Sequence, residues 1–353
     1  AAQKNFIILA TYITMFPQLI AGPIVRYVDV ERELRSRHTT PEDFRLGLRR
    51  FVFGLGKKIL IANQLGQFIE LFRASNEKSL LFYWLYALGF CLHIYFDFSG
   101  YSDMAIGLGR IFGFSFPENF NYPFLSGSIQ EFWRRWHMTL GGWFRDYLFY
   151  PLLRSRGLST MARRLKKGGH KAASRTVPTI IALVIVWFST GLWHGANWNY
   201  VLWGLYYGFW LILEQFVTDK YMKKLPNVLS AIIGHIGSII IILFGYAIFY
   251  HEKDLFVNLG RMIGIGVSSF SSVYATSMIY ENGILLMAAI FCCTPLGHLA
   301  FEKLRNMMKA SLGEKKAYNV DRIIKTVLVI VLLGICSIRL VGDSYNPFIY
   351  FKF

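Results

Sequence analysis

Long apolar runs alternate with short polar loops along the 353 residues of this chain. Several runs reach roughly 18–22 residues with at most one ionisable group, the length a helix needs to cross a bilayer. Residues 79–98, 177–195, 198–217, 228–250, 282–301 and 322–341 read as spans. Residues 5–21 form another apolar segment, broken by Pro17 and Gly22-Pro23, which favours a bent or re-entrant path. Residues 42–72 predict a long helix with a basic front (Arg45, Arg49, Arg50, Lys57, Lys58) and an apolar rear, lying partly in the interface. No ten-residue alternation marks a β-barrel. The pattern specifies an all-α, polytopic integral membrane protein. Residues 1–353 read as a single membrane-embedded domain, with no internal repeat.

Two stretches are too polar for lipid. Read at 100° per residue, Ile129, Phe132, Trp133, Trp136, Leu140, Trp143, Phe144 and Tyr147 share an arc of roughly 120°. Glu131, Arg134, Arg135, Arg145 and Asp146 lie opposite. Such charges cost about 2.5–3.5 kcal/mol each in lipid, so that face meets water, protein or a polar cavity. His137 falls just beyond the apolar arc; an interfacial helix with His137 at the headgroups is the open alternative. The second stretch, FDFSGYSDMAIGLGRIFGF, begins at Phe96. On a helix Ser99 and Asp103 stack one turn apart. Asp97, Asp103 and Tyr101 would orient a histidine or bind a hydroxyl, or else form a buried hydrogen-bonded strut. Gly109 and Gly113 fit the small-residue pattern of helix contacts.

The sharpest chemical signal is His194, in WFSTGLWHGANW, at the end of the apolar run that begins at Val177. Ionisable groups at membrane depth are costly and mark functional sites by default. Gly191 and Gly195 flank it and permit close backbone approach. A core histidine satisfied by a neighbour is the bland reading. The outward-facing polar Asn197 and Asn199, together with the second histidine, favour acid–base chemistry. A neutral imidazole that takes a proton from an alcohol typically accelerates the step about 10²–10⁴-fold. Counted from Val177 at 1.5 Å per residue, His194 lies about 27 Å along its span, near the outer surface. No GxSxG elbow or HExxH helix is present, which leaves serine-hydrolase and zinc-protease chemistry unsupported.

Composition supports the membrane reading: 54% of residues are hydrophobic and 17% charged, against roughly 25% charged in soluble domains. The net charge of +17 does not point to nucleic acid, because the basic residues cluster in short loops. Arg154, Arg156, Arg163, Arg164, Lys166, Lys167, Lys171 and Arg175 follow one another without an acidic residue. With Lys220/Lys223/Lys224 and Lys303–Lys316, they place three loops in the cytoplasm. The HGANWN turn, residues 251–281 and the tail DSYNPFIYFKF then face outward. Anionic lipid is the natural companion of the basic loops; attraction of a phosphate-rich acyl donor is a lesser alternative. Cys91, Cys292, Cys293 and Cys336 sit in apolar runs without metal-ligand spacing and read as packing residues.

Several motifs together resemble the membrane-bound O-acyltransferase family. They are FPQLIAGPIVRY at 16–27, FDFSGYSDMAIGLGRIFG at 96–113 and NFNYPFLSGSIQEFWRRWHMTLGGWFRDYLFYPL at 119–152. TGLWHGANWNYVLWGLYYG at 190–208 and YNPFIYFKF at 345–353 complete the set. The nearest branch is that of bacterial polysaccharide O-acetyltransferases of alginate and peptidoglycan. The resemblance implies a ring of tilted helices around a transmembrane tunnel, with further helices ahead of FPQLIAGP. It implies His194 as catalytic histidine and general base, and His137 as the second polar position. Tyr101, Asp103 and Trp133 follow as substrate-cavity residues. It further implies acetyl-CoA or a related thioester as donor, no tightly bound cofactor or metal, and an extracytoplasmic polysaccharide as acceptor. An SGNH-type extracytoplasmic partner and a bacterial cytoplasmic-membrane location complete the expectation. D-alanyl transfer to teichoic acid is the second reading. A transporter or flippase with histidine relays is a rival from another class, and a non-catalytic scaffold a third.

Overall fold

A computed structural model of the chain describes residues 3–19, 22–251 and 254–342. The YNPFIYFKF motif lies outside the described residues, as does the outward placement of the tail. The elements are helical throughout, and no β-strand occurs among the described residues. The chain begins with α1 (Phe6–Ile13), α2 (Phe16–Leu19) and α3 (Tyr27–Arg35). Next come α4 (Pro41–Gly56), a π-helical turn (Lys57–Ala62), α5 (Asn63–Ala74) and α6 (Leu80–Ile111). After a stretch that holds one 3₁₀ turn (Pro123–Leu125) follow α7 (Ile129–Arg135), α8 (Met138–Phe144), α9 (Tyr150–Arg154) and α10 (Arg156–Lys167). The remaining helices are α11 (Ala173–His194), α12 (Trp198–Leu213), α13 (Asp219–Met222), α14 (Asn227–Tyr250), α15 (Leu255–Met262), α16 (Val273–Cys292), α17 (Leu296–Leu312) and α18 (Glu314–Gly342). Five of these, α6, α11, α14, α16 and α18, are long and apolar enough to cross a membrane. The protein is an all-α, multi-pass membrane protein.

The described residues fall into two compact units. The first comprises residues up to Ser75, Gly89–Tyr122 and the chain from Thr276 onward. Here α4 starts at a reciprocal cap: the Thr40 hydroxyl accepts the Asp43 N–H and the Asp43 carboxylate accepts the Thr40 N–H, with Pro41 at the first helical position. The helix then runs through the π-turn into α5, so the predicted 42–72 helix is one element from Pro41 to Ala74. Its partner is α6, and glycines set the contact. A Cβ on Gly107 would lie 2.6 Å from the Gly47 carbonyl oxygen, and one on Gly100 would lie 2.8 Å from that of Gly54. The two pairs are spaced seven residues apart on both helices, so each stays on one face over two turns. The sequence singled out Gly109 and Gly113 instead. Gly109 packs against Phe116, and Gly113 takes a φ of +78° where α6 ends.

α6 continues for 32 residues straight through the polar stretch. It does so because the carboxylates there are paired from the α4 side: Lys58 with Asp97, and Arg50 and Lys57 with Asp103. Met15, Val25, Val30, Ile106, Phe114 and Phe116 form an apolar cluster where α1 and α3 meet the end of α6. Near the other end of this unit, the sequence-based span 282–301 is displaced. The helix covers Val273–Cys292, and a new one begins after Pro295. Proline lacks the N–H that would continue the ladder and disfavours helix in the residue before it.

The second unit comprises Asn76–Leu88 and Pro123–Ala275. α11 and α12 form its central hairpin, joined by three residues. Gly191 of α11 faces the Tyr200 carbonyl, and Gly204 of α12 faces that of Trp187, so closely that neither site has room for a Cβ. α14 packs on α12: Tyr206 donates to the Ile241 carbonyl at 3.0 Å, and Tyr207 sits fully buried beneath Gly245. Phe132, Trp136, Trp187, Trp203, Tyr207 and Tyr246 fill the interior with stacked, tilted and edge-to-face ring contacts.

Candidate active site

His194 is the last residue of α11. The helix stops there because Gly195 takes a φ of +152°, which a side chain would resist. The Asn197 side chain accepts the Trp198 N–H and starts α12. The imidazole is half-buried among rings. Trp203 and Phe249 meet it edge to face at 5.0 and 5.2 Å between centroids, and Trp193 at 4.8 Å. Asn199, which the sequence reading placed outward, is instead buried and donates to the Phe249 carbonyl at 2.6 Å. It ties the end of α14 to α12 beside His194.

The predicted single helix over 129–147 is broken at Trp136 and His137. Trp136 is extended, and His137 is left-handed with φ 45° and ψ 52°. Across the break Trp136 stacks on Phe132 at 5.6 Å and reaches Tyr246 at 5.3 Å. A non-glycine residue in this conformation costs about 1–2 kcal/mol, so surrounding packing must hold it. His137 is only 5% exposed, so its side chain lies inside the protein. Trp193 lies 6.3 Å from the His137 ring and 4.8 Å from that of His194. The two histidines, 57 positions apart in sequence, therefore share one tryptophan neighbour.

The amino end of α7 shows how this segment is held. Ser128 accepts the Glu131 N–H at 3.0 Å. The Ile129 and Gln130 N–H groups donate to the two carboxylate oxygens of Glu214, at 2.6 and 2.9 Å. Glu214 is 7% exposed and opens a π-helical turn directly after α12. The sequence reading missed it; a lone carboxylate inside the apolar run 198–217 was the available signal. Glu131 accepts from the Gly127 amide and from Arg135. Partial burial opposes ionisation, yet these bonds hold its carboxyl below the ordinary range.

A cavity of about 540 Å³ opens beside His137, lined by Gln130, Trp133, Arg134, Arg145 and Thr190 among others. Trp133, an expected cavity residue, is thus brought together with His137. Asp103 lies in the other unit, on the wall of a cavity of about 660 Å³ that also includes Arg50, Lys57, Ser99 and Asn119. Arg50 donates to Asp103 at 2.9–3.0 Å and Lys57 at 2.7 Å, so this carboxylate is both strut and lining. Asp97, 1% exposed and paired with Lys58, is a strut. Tyr101 is half-buried and lines neither of these two cavities. Among the described residues no three His, Cys, Asp or Glu side chains gather to hold a metal ion.

Comparison with known proteins fits this geometry. The profile of the membrane-bound O-acyltransferase family matches residues 3–165. A probable alginate O-acetylase of Azotobacter vinelandii is 32% identical over 374 residues, covering all of this chain and 71% of that protein. A peptidoglycan O-acetyltransferase of Helicobacter pylori is 30% identical, covering 99% of this chain and 65% of that protein. A teichoic acid D-alanyltransferase of Bacillus subtilis is 31% identical over 248 residues, covering 68% of this chain and 60% of that protein. With its helical membrane architecture, the match to the family's profile and its similarity to these relatives, the chain belongs to the membrane-bound O-acyltransferase family.

Proposed function

We propose that this enzyme moves an acetyl group from a cytoplasmic thioester, acetyl-CoA or a relative of it, to a hydroxyl of an extracytoplasmic polysaccharide. The observation that carries the reading is the pair of histidines on one tryptophan, Trp193, in a member of an acyltransferase family. In this reading neutral His194 accepts the hydroxyl proton as the alcohol oxygen attacks the thioester carbonyl. The carbon–sulfur bond breaks, and the thiolate leaves with the proton that His194 returns. The acceptor is the polymer itself or a relay hydroxyl on an SGNH-type extracytoplasmic partner. His137 orients a substrate or the His194 ring from the wall of the adjoining cavity, and Trp133 lines that cavity. Asp103 lines the cavity of the first unit and would contact substrate there. The membrane is the bacterial cytoplasmic membrane, with anionic lipids against the basic loops.

The alginate and peptidoglycan relatives match essentially the whole chain. The teichoic acid D-alanyltransferase match covers 68% of it, so D-alanyl transfer ranks second. The deciding experiment compares parent and His194→Ala enzymes, at matched amount, in membranes with the cognate partner. Label passing from acetyl-CoA to polymer should fall about 10²–10⁴-fold in the variant, the usual worth of a general base. Undiminished transfer removes His194 from the chemistry. Label moving only from a D-alanyl donor favours the second reading.

A further inference from the structure

We propose that Glu214 is a positioning residue for acyl transfer: its buried carboxylate clamps the amino end of α7 and thereby sets His137. The inference rests on the reading of His137 as part of the reaction. It begins from a cost. An ionisable group at membrane depth is expensive and is normally paired. Among the described residues no cation pairs with Glu214; its hydrogen bonds come from two backbone amides, Ile129 N–H and Gln130 N–H, 85 and 84 residues away in sequence. Those amides are among the donors that every helix leaves unpaired at its start, and the positive end of the helix favours a carboxylate there.

The clamp acts on a short element. α7 has seven residues, too few to hold itself as a helix in isolation. With Ser128 on the Glu131 amide and Glu214 on the two before it, all three leading donors are engaged. Ile129 and Phe132 are fully buried, which fixes the rotation of the turn. The same turn carries Trp133, and the chain leaves it through extended Trp136 into left-handed His137. Releasing the amino end removes the support that a strained backbone at His137 needs.

The clamp is tied to the other histidine as well. Glu214 directly follows α12, whose first turns bring Tyr200 and Trp203 against His194. One helix of 16 residues, about 24 Å long, thus packs on His194 at one end and runs at the other into Glu214, which holds the start of α7, the helix that leads to His137. The π-helical turn at Glu214–Thr218 interrupts regular geometry where this bond is made, as such turns often do at functional sites.

The test uses the full chain in native-host membranes: parent, Glu214→Ala, Glu214→Gln, His137→Ala and the Glu214→Ala/His137→Ala double variant. Amide exchange of peptides from Ser128–His137 reads the clamp without reference to activity. Base-released ester on the envelope polymer reads transfer without assuming the donor. We expect exchange there to rise at least tenfold in Glu214→Ala, while α14 peptides stay unchanged. Ester should fall about 10–100-fold, with Glu214→Gln intermediate because it keeps one acceptor oxygen. In the His137→Ala background Glu214→Ala should add little. Unchanged exchange, parental ester in Glu214→Ala, or an equal further loss in the His137→Ala background overturns the proposal. A parent that adds no ester over a deletion strain overturns the functional reading instead, and the exchange result still decides the clamp.

Discussion

At the scale of single residues, His137 makes a backbone demand separate from its chemistry. Its φ of 45° lies in the region that asparagine tolerates and β-branched residues resist. His137→Asn should therefore melt within a few degrees of the parent in detergent. His137→Val should melt clearly lower, reflecting a cost of about 1–2 kcal/mol for the left-handed conformation. Equal melting of the two variants would show that the turn relaxes. The contrast lets loss of the imidazole be examined in a folded protein. His194 makes no such demand, since Gly195 takes the unusual dihedral.

At the scale of elements, sequence periodicity identified most helices because lipid demands continuous apolar runs. It failed where tertiary pairing or local geometry overrode that rule. The polar turns of α6 stay helical because Asp97 and Asp103 find lysine and arginine from the helix opposite, a pairing no local pattern records. The break at Trp136–His137 was invisible because the apolar residues from 129 to 147 share one arc in helical projection, with the charged ones opposite. Of the candidate site, His137 with Trp133 was legible as polarity beside an aromatic stripe, and His194 as a lone imidazole ending an apolar run. Glu214 was not, because its partners are backbone amides. The glycine contacts of α4 with α6 were also misplaced by motif spacing. They yield a prediction: Gly107→Ala should lower the melting temperature, since its Cβ would meet the Gly47 carbonyl and the Phe51 amide, and overpacking typically costs about 1–3 kcal/mol. Gly283→Ala has nothing within 4 Å of its new Cβ and should match or exceed the parent, since alanine favours helix by about 1 kcal/mol. Equal tolerance at both sites would remove close packing as the reason for glycine on α6.

At the scale of the whole molecule, the mechanism depends on which side of the membrane each end of α11 occupies. Eight basic residues between Arg154 and Arg175, with no acidic residue among them, lie on α9–α11 around the amphipathic α10. Moving one such charge outward against the membrane potential costs about 2.3 kcal/mol per 100 mV. Anionic lipid on the inner leaflet adds to the preference. α11 then carries the chain from this basic region to His194 over 22 residues, about 33 Å at helical rise, enough to cross the hydrocarbon core. The turn after His194 is expected on the acceptor side, where a proton taken from an incoming hydroxyl is close to its source. Single cysteines in a background lacking Cys91, Cys292, Cys293 and Cys336 test this. Lys166 and Ala196 are both exposed, so either position accepts a label if reagent reaches it. In intact spheroplasts a membrane-impermeant maleimide should modify Ala196→Cys and leave Lys166→Cys untouched until the membrane is opened. The opposite pattern would put His194 on the donor side and require the acyl group, not the hydroxyl, to meet it first.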